Sequence, residues 1–431
     1  MGLQAAMQGD RLQIAIFGKR NAGKSSILNA VTGQSLAIVS ETKGTTTDPV
    51  YKAMEILPLG PCMFIDTPGL DDEGELGQKR VEKAVQVLNR TDIALVVIDI
   101  TTLEEEALSE KRGLPPKEDE IVSLIEEKKL PYCIVLNKSD CIGDGEAEKL
   151  RRQVLAKNPA VFVNVVSTLE KKGLEELKEV LVSIAPAYDK RLHIVGDLIQ
   201  EGDTVVLVVP VDSAAPKGRL IMPQQQVIRD ILDNHAVAVV TQPGQLAQTL
   251  SGLGERVKLV ITDSQAFKEV DAAVPKDIPL TSFSILFARH KGNLKKMVQG
   301  VKAVDLLQDG DKILIAEGCT HHRQCEDIGT VKIPRWLKTY TGRELILETC
   351  SGMDFPADLS GYSLVIHCGG CTLHEKEMKH RIFRAGEQGV PMVNYGIFIA
   401  YVNGILARSI EVFPDISRIL EEWRLYGKDI L

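Results

Sequence analysis

GKRNAGKS, residues 18–25, follows the apolar run LQIAIF and leads into SSILNAVTG. It matches G-x-x-x-x-G-K-[ST], and a strand before it with a helix after it is the setting that gives the match meaning. The glycines let backbone N–H groups wrap a phosphate, and the helix start adds the positive end of its dipole. Gly18, Asn21, Ala22, Gly23, Lys24, Ser25 and Ser26 form the expected phosphate-binding set. Lys24 is placed to neutralise the β- and γ-phosphates, and Ser25 to offer its hydroxyl to Mg2+.

The surrounding chain supports a sheet of parallel strands. CMFIDTPG, IALVVIDI, YCIVLNKSD and FVNVVST are apolar runs separated by helical stretches, near residues 79–89 and over 174–184 among them. Near-continuous apolar strands alternating with helices indicate a mostly parallel sheet covered on both faces. Chemistry-bearing residues stand at the strand ends. Asp66 is placed to hold the magnesium through water, and the Gly69 N–H to reach the γ-phosphate. Asn137-Lys138-Ser139-Asp140 presents a carboxylate that accepts two hydrogen bonds from a guanine edge. Adenine lacks the 2-amino donor and leaves that group partly unpaired, at ~1–3 kcal/mol. The motif therefore selects GTP over ATP, and Ser167 fits the last guanine-contact loop. Residues 1–187 are read as a P-loop GTPase domain with Lys24, Asn21, Asp66 and Gly69 in its catalytic set.

Pro186 and the polar run over 188–191 mark a linker. A second α/β unit follows, 188–306, with strands in TVVLVV, AVAVVT and VKLVITD, a helix over 224–234 and an amphipathic helix from about 293 to 307. It holds no cysteine and no catalytic motif, which suits a spacer or assembly domain. The third unit, 307–431, is expected to be Rossmann-like. DKILIAEGC and YSLVIHCGGC end in thiols just past two strands, where open parallel sheets bind ligands.

Of eight cysteines, five lie after residue 310. Cys319-Thr-His321 and His367-Cys368-Gly-Gly-Cys371 bring together three thiols and two imidazoles. Thiolates select zinc or iron–sulfur clusters. Three cysteines and a weaker ligand suit a 4Fe-4S cluster with an exchangeable position or a Cys3His zinc site. Both remain open on residue chemistry alone. Cys62, Cys133, Cys141, Cys325 and Cys350 are read as structural. The net charge is −8 with no strongly basic segment, which argues against a nucleic-acid-coating chain. No apolar run approaches the ~18 residues a membrane helix needs. With no signal peptide in view, a cytoplasmic setting with reduced thiols is expected.

The first domain resembles the translation-factor-related GTPases, most closely the branch of Era and MnmE. Gly44-Thr45-Thr46-Thr47-Asp48 is similar to that branch's G-T-T-R-D switch segment, with Thr47 in place of the arginine. The resemblance makes Thr46 the second magnesium ligand. Leu70 stands where Ras-like proteins carry a water-orienting glutamine, so slow hydrolysis is expected. Asn21 occupies the position that binds K+ in the potassium-dependent members. Joined to the cysteine pattern, the whole chain resembles HydF, the iron–iron hydrogenase maturation GTPase. That resemblance implies a 4Fe-4S cluster on Cys319, Cys368 and Cys371 with a labile fourth position. His321 and His367 are candidate ligands or supports. It also implies dimerisation through 188–306, with a tetramer as the next assembly. The role implied is a scaffold that takes a diiron precursor made with HydE and HydG and delivers it to apo-hydrogenase. The alternative is an RNA-modification or ribosome-assembly GTPase with a zinc module.

Overall fold

The computed structural model describes residues 11–32, 49–57, 59–67, 84–105, 108–186, 193–211, 220–318, 327–352 and 354–426. They fall into two compact units, residues 1–188 and 189–431.

The first unit carries a six-stranded sheet: β1 (Leu12–Phe17), β2 (Val50–Ile56), β3 (Gly60–Asp66), β4 (Ile93–Asp99), β5 (Tyr132–Asn137) and β6 (Phe162–Val165). The order is β2-β3-β1-β4-β5-β6. Only β2 is antiparallel, its Val50 opposite Asp66 of β3. Successive strand side chains point to opposite faces, and both faces are filled. Ala15, Phe17, Val96 and Ile98 enter one core, while Ile14, Ile16, Leu95 and Val97 enter the other. That double burial explains the unbroken apolar runs. The parallel register brings the carboxyl ends of β1, β3, β4 and β5 to one edge, with Ile16 level with Asp66 and Asp99 level with Asn137. The helix Leu174–Ile184 forms as its spacing predicts.

The second unit carries two four-stranded parallel sheets. β7 (Thr204–Val208), β8 (Val237–Thr241), β9 (Val257–Thr262) and β10 (Leu280–Ser282) form one, and β11 (Lys312–Glu317), β12 (Ile346–Ser351), β13 (Leu364–His367) and β14 (Met392–Asn394) the other. Their orders, β10-β9-β7-β8 and β12-β11-β13-β14, are the same doubly wound topology. One apolar core runs through both, taking Val205 and Leu207 from the first sheet and Ile313 and Ile366 from the second. The single helix expected from about 293 to 307 is instead an α-helix, Leu294–Gly300, that tightens into a 3-10 turn, Val301–Leu306. The change falls at Gly300. There a Cβ would lie 2.3 Å from the Met392 carbonyl oxygen, so the chain passes β14 too closely for any side chain.

Candidate functional site

The nucleotide site is assembled at the strand ends of the first unit. Gly18 has φ +146° and Gly23 φ +92°, and Asn21 between them is left-handed at +62°. A Cβ on Gly18 would meet the Val97 carbonyl oxygen at 2.2 Å. The Lys24 ammonium donates to the carbonyls of Gly18 (2.8 Å) and Lys19 (2.7 Å), spanning the loop from within. Ser25 Oγ donates to Asp66 Oδ2 at 2.5 Å. Asp66 Oδ1 is buried with no hydrogen-bond partner. Burial raises the Asp66 carboxyl above its ordinary range, against the Ser25 hydroxyl and the Lys24 and Lys52 charges, which lower it. A hydroxyl and an orphaned carboxylate oxygen, both hard donors, fit Mg2+.

The residues expected to read guanine meet the same loop. Asn137 Nδ2 donates to the Ala22 carbonyl at 2.9 Å, tying β5 to the phosphate loop. Lys138 is left-handed and its ammonium pairs with Asp99 at 2.5 Å. Asp140 is exposed, and Ser167, fully buried, donates to its Oδ1 at 2.5 Å. That hydroxyl is the main cause holding the Asp140 carboxyl below the usual carboxylate range, which keeps it ionised as an acceptor. Ser26 is exposed on the first helical turn. Thr46 and Gly69 lie outside the described residues.

One glycine connects the two halves of this site. A Cβ on Gly23 would sit 2.1 Å from Asn137 Nδ2, on a backbone that L side chains resist. Gly23→Ala therefore displaces Asn137 from Ala22, and nucleotide affinity is expected to fall at least about tenfold, or ~1.4 kcal/mol. Titration with a fluorescent guanine nucleotide reads this directly, and unchanged affinity would remove Asn137 from the site.

The thiol site lies at the end of β13. Cys368 Sγ accepts N–H bonds from Gly318 (3.0 Å) and Gly370 (3.4 Å). Gly370 is left-handed at φ +64°, and Leu373 N closes the turn onto the Gly370 carbonyl at 3.0 Å. Thr372 Oγ1 donates to the Gly318 carbonyl at 3.0 Å, lacing the turn to the end of β11. Amide donors aimed at a sulfur favour thiolate over thiol, and such donors support metal-bound thiolates. The half-buried Cys368 and Cys371 thus fit a thiolate-bound centre. Cys319, His321 and Cys325 lie outside the described residues. Among the described residues no group of three His, Cys, Asp or Glu side chains is gathered for a metal ion.

His367 corrects an expectation. It is fully buried, its Nδ1 bonded to the Cys368 carbonyl at 2.8 Å and its Nε2 to the Arg381 guanidinium at 3.1 Å. Burial first and the Arg381 charge second push its pKa down to about 3. The neutral ring donates from Nδ1 and accepts at Nε2, so neither nitrogen is offered to a metal. It supports the cysteine turn instead. Arg381, which no motif marks, is 1% exposed. It pairs with Glu377 (2.8 Å), donates to the Gly352 carbonyl (2.7 Å) and lies 4.8 Å from the Phe355 ring centroid. Arg381→Met leaves Glu377 charged and buried, and breaking such a pair costs about 3–5 kcal/mol. Thermal unfolding should show the 189–431 unit melting several degrees lower, while an unmoved transition would assign the pair no structural role.

The fold and the nucleotide site define a P-loop GTPase extended by a body of two parallel-sheet lobes. Residues 13–138 match the model of a 50S ribosome-binding GTPase. Residues 194–292 match the hydrogen maturase F dimerization domain and residues 295–412 its tetramerization domain, together just over half of the chain. The chain belongs to the hydrogen maturase F (HydF) family. It is also 34% identical over 194 residues to GTPase Der of Kosmotoga olearia, covering 42% of this chain and 41% of Der. With the tRNA modification GTPase MnmE of Alkaliphilus metalliredigens it shares 33% over 174 residues, 40% of this chain and 34% of MnmE. The chain thus spans less than half the length of these two relatives. A crystal structure of Aquifex aeolicus Era bound to GDP and AlF4- matches with a TM-score of 0.36 at 23% identity, over 53% of this chain and 92% of that one. Among the described residues no helix is long and apolar enough to cross a membrane.

Proposed function

We propose that this protein is a GTP-switched scaffold. It holds a 4Fe-4S cluster on Cys319, Cys368 and Cys371 and delivers a diiron precursor to apo iron–iron hydrogenase. The observation that carries the reading is the amide-cradled Cys368 at a strand end, on a chain of this family that also holds a complete guanine-nucleotide motif set. The cluster supplies an iron position that protein thiolates do not fill. The chain's own residues hold two half-buried thiolates in a tight glycine turn and keep His367 neutral behind them.

GTP binding orders the segments around Thr46 and over 71–77, as γ-phosphate contacts do in switch GTPases. That ordering gates docking of the radical-SAM maturases HydE and HydG and of the hydrogenase. Asn21 offers an exposed amide oxygen to K+, which adds positive charge to slow hydrolysis. The 188–306 lobe makes the homodimer, and the lobe after it the tetramer. Nucleic acid and membrane play no part, and the setting is cytoplasmic. Anaerobic reconstitution with ferrous iron and sulfide tests the reading. A brown protein with about four irons that activates apo-hydrogenase supports it. A colourless protein with one tight zinc would sink it.

A further inference from the structure

The two lobes of the second unit are copies of one another, beyond sharing a strand order. Asp197-Leu-Ile-Gln-Glu-Gly-Asp203 before β7 recurs as Asp305-Leu-Leu-Gln-Asp-Gly-Asp311 before β11. The same turn closes both: Gln200 N donates to Asp203 Oδ2 at 2.8 Å and Gln308 N to Asp311 Oδ2 at 2.7 Å. Residues 279–294 recur as 391–406, with Pro, Ile, Ala, Gly and Leu at matched positions. Val260 N donates to the Pro279 carbonyl and Val365 N to that of Pro391, both at 2.9 Å. The helices that follow, Phe283–Lys291 and Tyr395–Val402, are capped alike by Ser282 and Asn394. Arg289 reaches back to Asp197, and its counterpart Tyr401 reaches back to Asp305. The two helices meet where Ser284 Oγ accepts from Gly396 N at 3.2 Å. On this correspondence Asp263 of the first lobe stands where the second lobe has Cys368. Each N–H donates to the neighbouring strand, at Val208 and Ala316.

Where a repeat departs from itself, the departing residue is a candidate for function. Asn403 is the counterpart of Lys291, and it turns onto its own helix, donating to the Ile399 carbonyl at 2.7 Å. Lys291 is 2% exposed and crosses into the other lobe, where its ammonium donates to the carbonyls of Cys371 (3.0 Å) and Leu373 (3.2 Å). Burying an ammonium carries a desolvation penalty, so an amide here would be the cheaper spacer. The cation bonds the backbone carbonyl of Cys371, whose thiol the preceding section assigns to the cluster. A positive charge held against the cysteine turn favours the reduced, more negative state of the centre over the oxidised one.

Resting on the cluster reading, we propose that Lys291 is a positioning residue for the cysteine turn. It pins the Cys371 and Leu373 carbonyls, and its charge raises the reduction potential of the centre. The test uses the full chain, reconstituted anaerobically, as wild type, Lys291→Met, Lys291→Gln and Lys291→Arg. Redox titration followed by electron paramagnetic resonance should place Lys291→Met and Lys291→Gln negative of wild type. A tenfold change in the reduction equilibrium is ~59 mV for one electron. Lys291→Arg should stay at the wild-type value. Iron release to a chelator should quicken about tenfold in Lys291→Met and less in Lys291→Gln, which keeps a donor for the two carbonyls. GTP hydrolysis should be unchanged in all three. Wild-type potential in Lys291→Gln would overturn the proposal even if Lys291→Met failed to fold. A wild-type chain that binds no cluster would overturn the cluster reading itself, and this proposal with it.

Discussion

Lys24→Ala is expected to lower GTP hydrolysis by about 10²–10³-fold, the effect of deleting a preorganised charged donor aimed at transition-state charge. Lys24 is 8% exposed, and its ammonium lies within the phosphate loop, bonded to the Gly18 and Lys19 carbonyls. Those carbonyls lose their donor and turn to water when it is removed, so the loop loosens as well as losing charge. Single-turnover hydrolysis and nucleotide titration separate the two effects. A loss of rate with near-normal affinity assigns Lys24 to the transition state, and parallel losses assign it to binding. The same variant tests the switch. If hydrolysis disappears while loading of the diiron unit and exchange of partners go on unchanged, nucleotide state does not gate the scaffold.

The GTPase part was legible because its signals are local. The central strands β1, β3, β4 and β5 are buried on both faces, so they read as apolar runs. Each functional residue stands within a few positions of a run's end, at Gly18, Asp66, Asn137 and Ser167. The second unit hid more. Its duplication joins stretches about 108 residues apart whose identity survives only at turns and caps, where geometry restricts the residue type. Arg381 and Lys291 sit mid-chain in ordinary helical sequence, and only the tertiary fold brings them to the cysteine turn. His367 stayed open between ligand and support for the opposite reason. Beside a thiol a histidine looks like a ligand, and nothing local reveals a buried guanidinium on the far side of its ring.

Cys368→Ser is expected to abolish cluster binding while leaving the fold standing. The variant hydroxyl can take the N–H bonds that Gly318 and Gly370 give the sulfur, so the turn keeps its donors and the melting temperature should move by only a few degrees. A serine hydroxyl does not ionise as a thiol does, and an iron–sulfur centre needs a soft thiolate. Iron content and visible absorption should fall to background, as they should in Cys371→Ser. Cys350 is the control. It lies in the same lobe, at the end of β12, but burial pushes its thiol up to about 11, which leaves it protonated and inert at neutral pH. Cys350→Ser should reconstitute like wild type. If Cys350→Ser also lost its iron, the argument from amide-cradled sulfur would fail, because the thiol without those donors would matter as much as the one that has them.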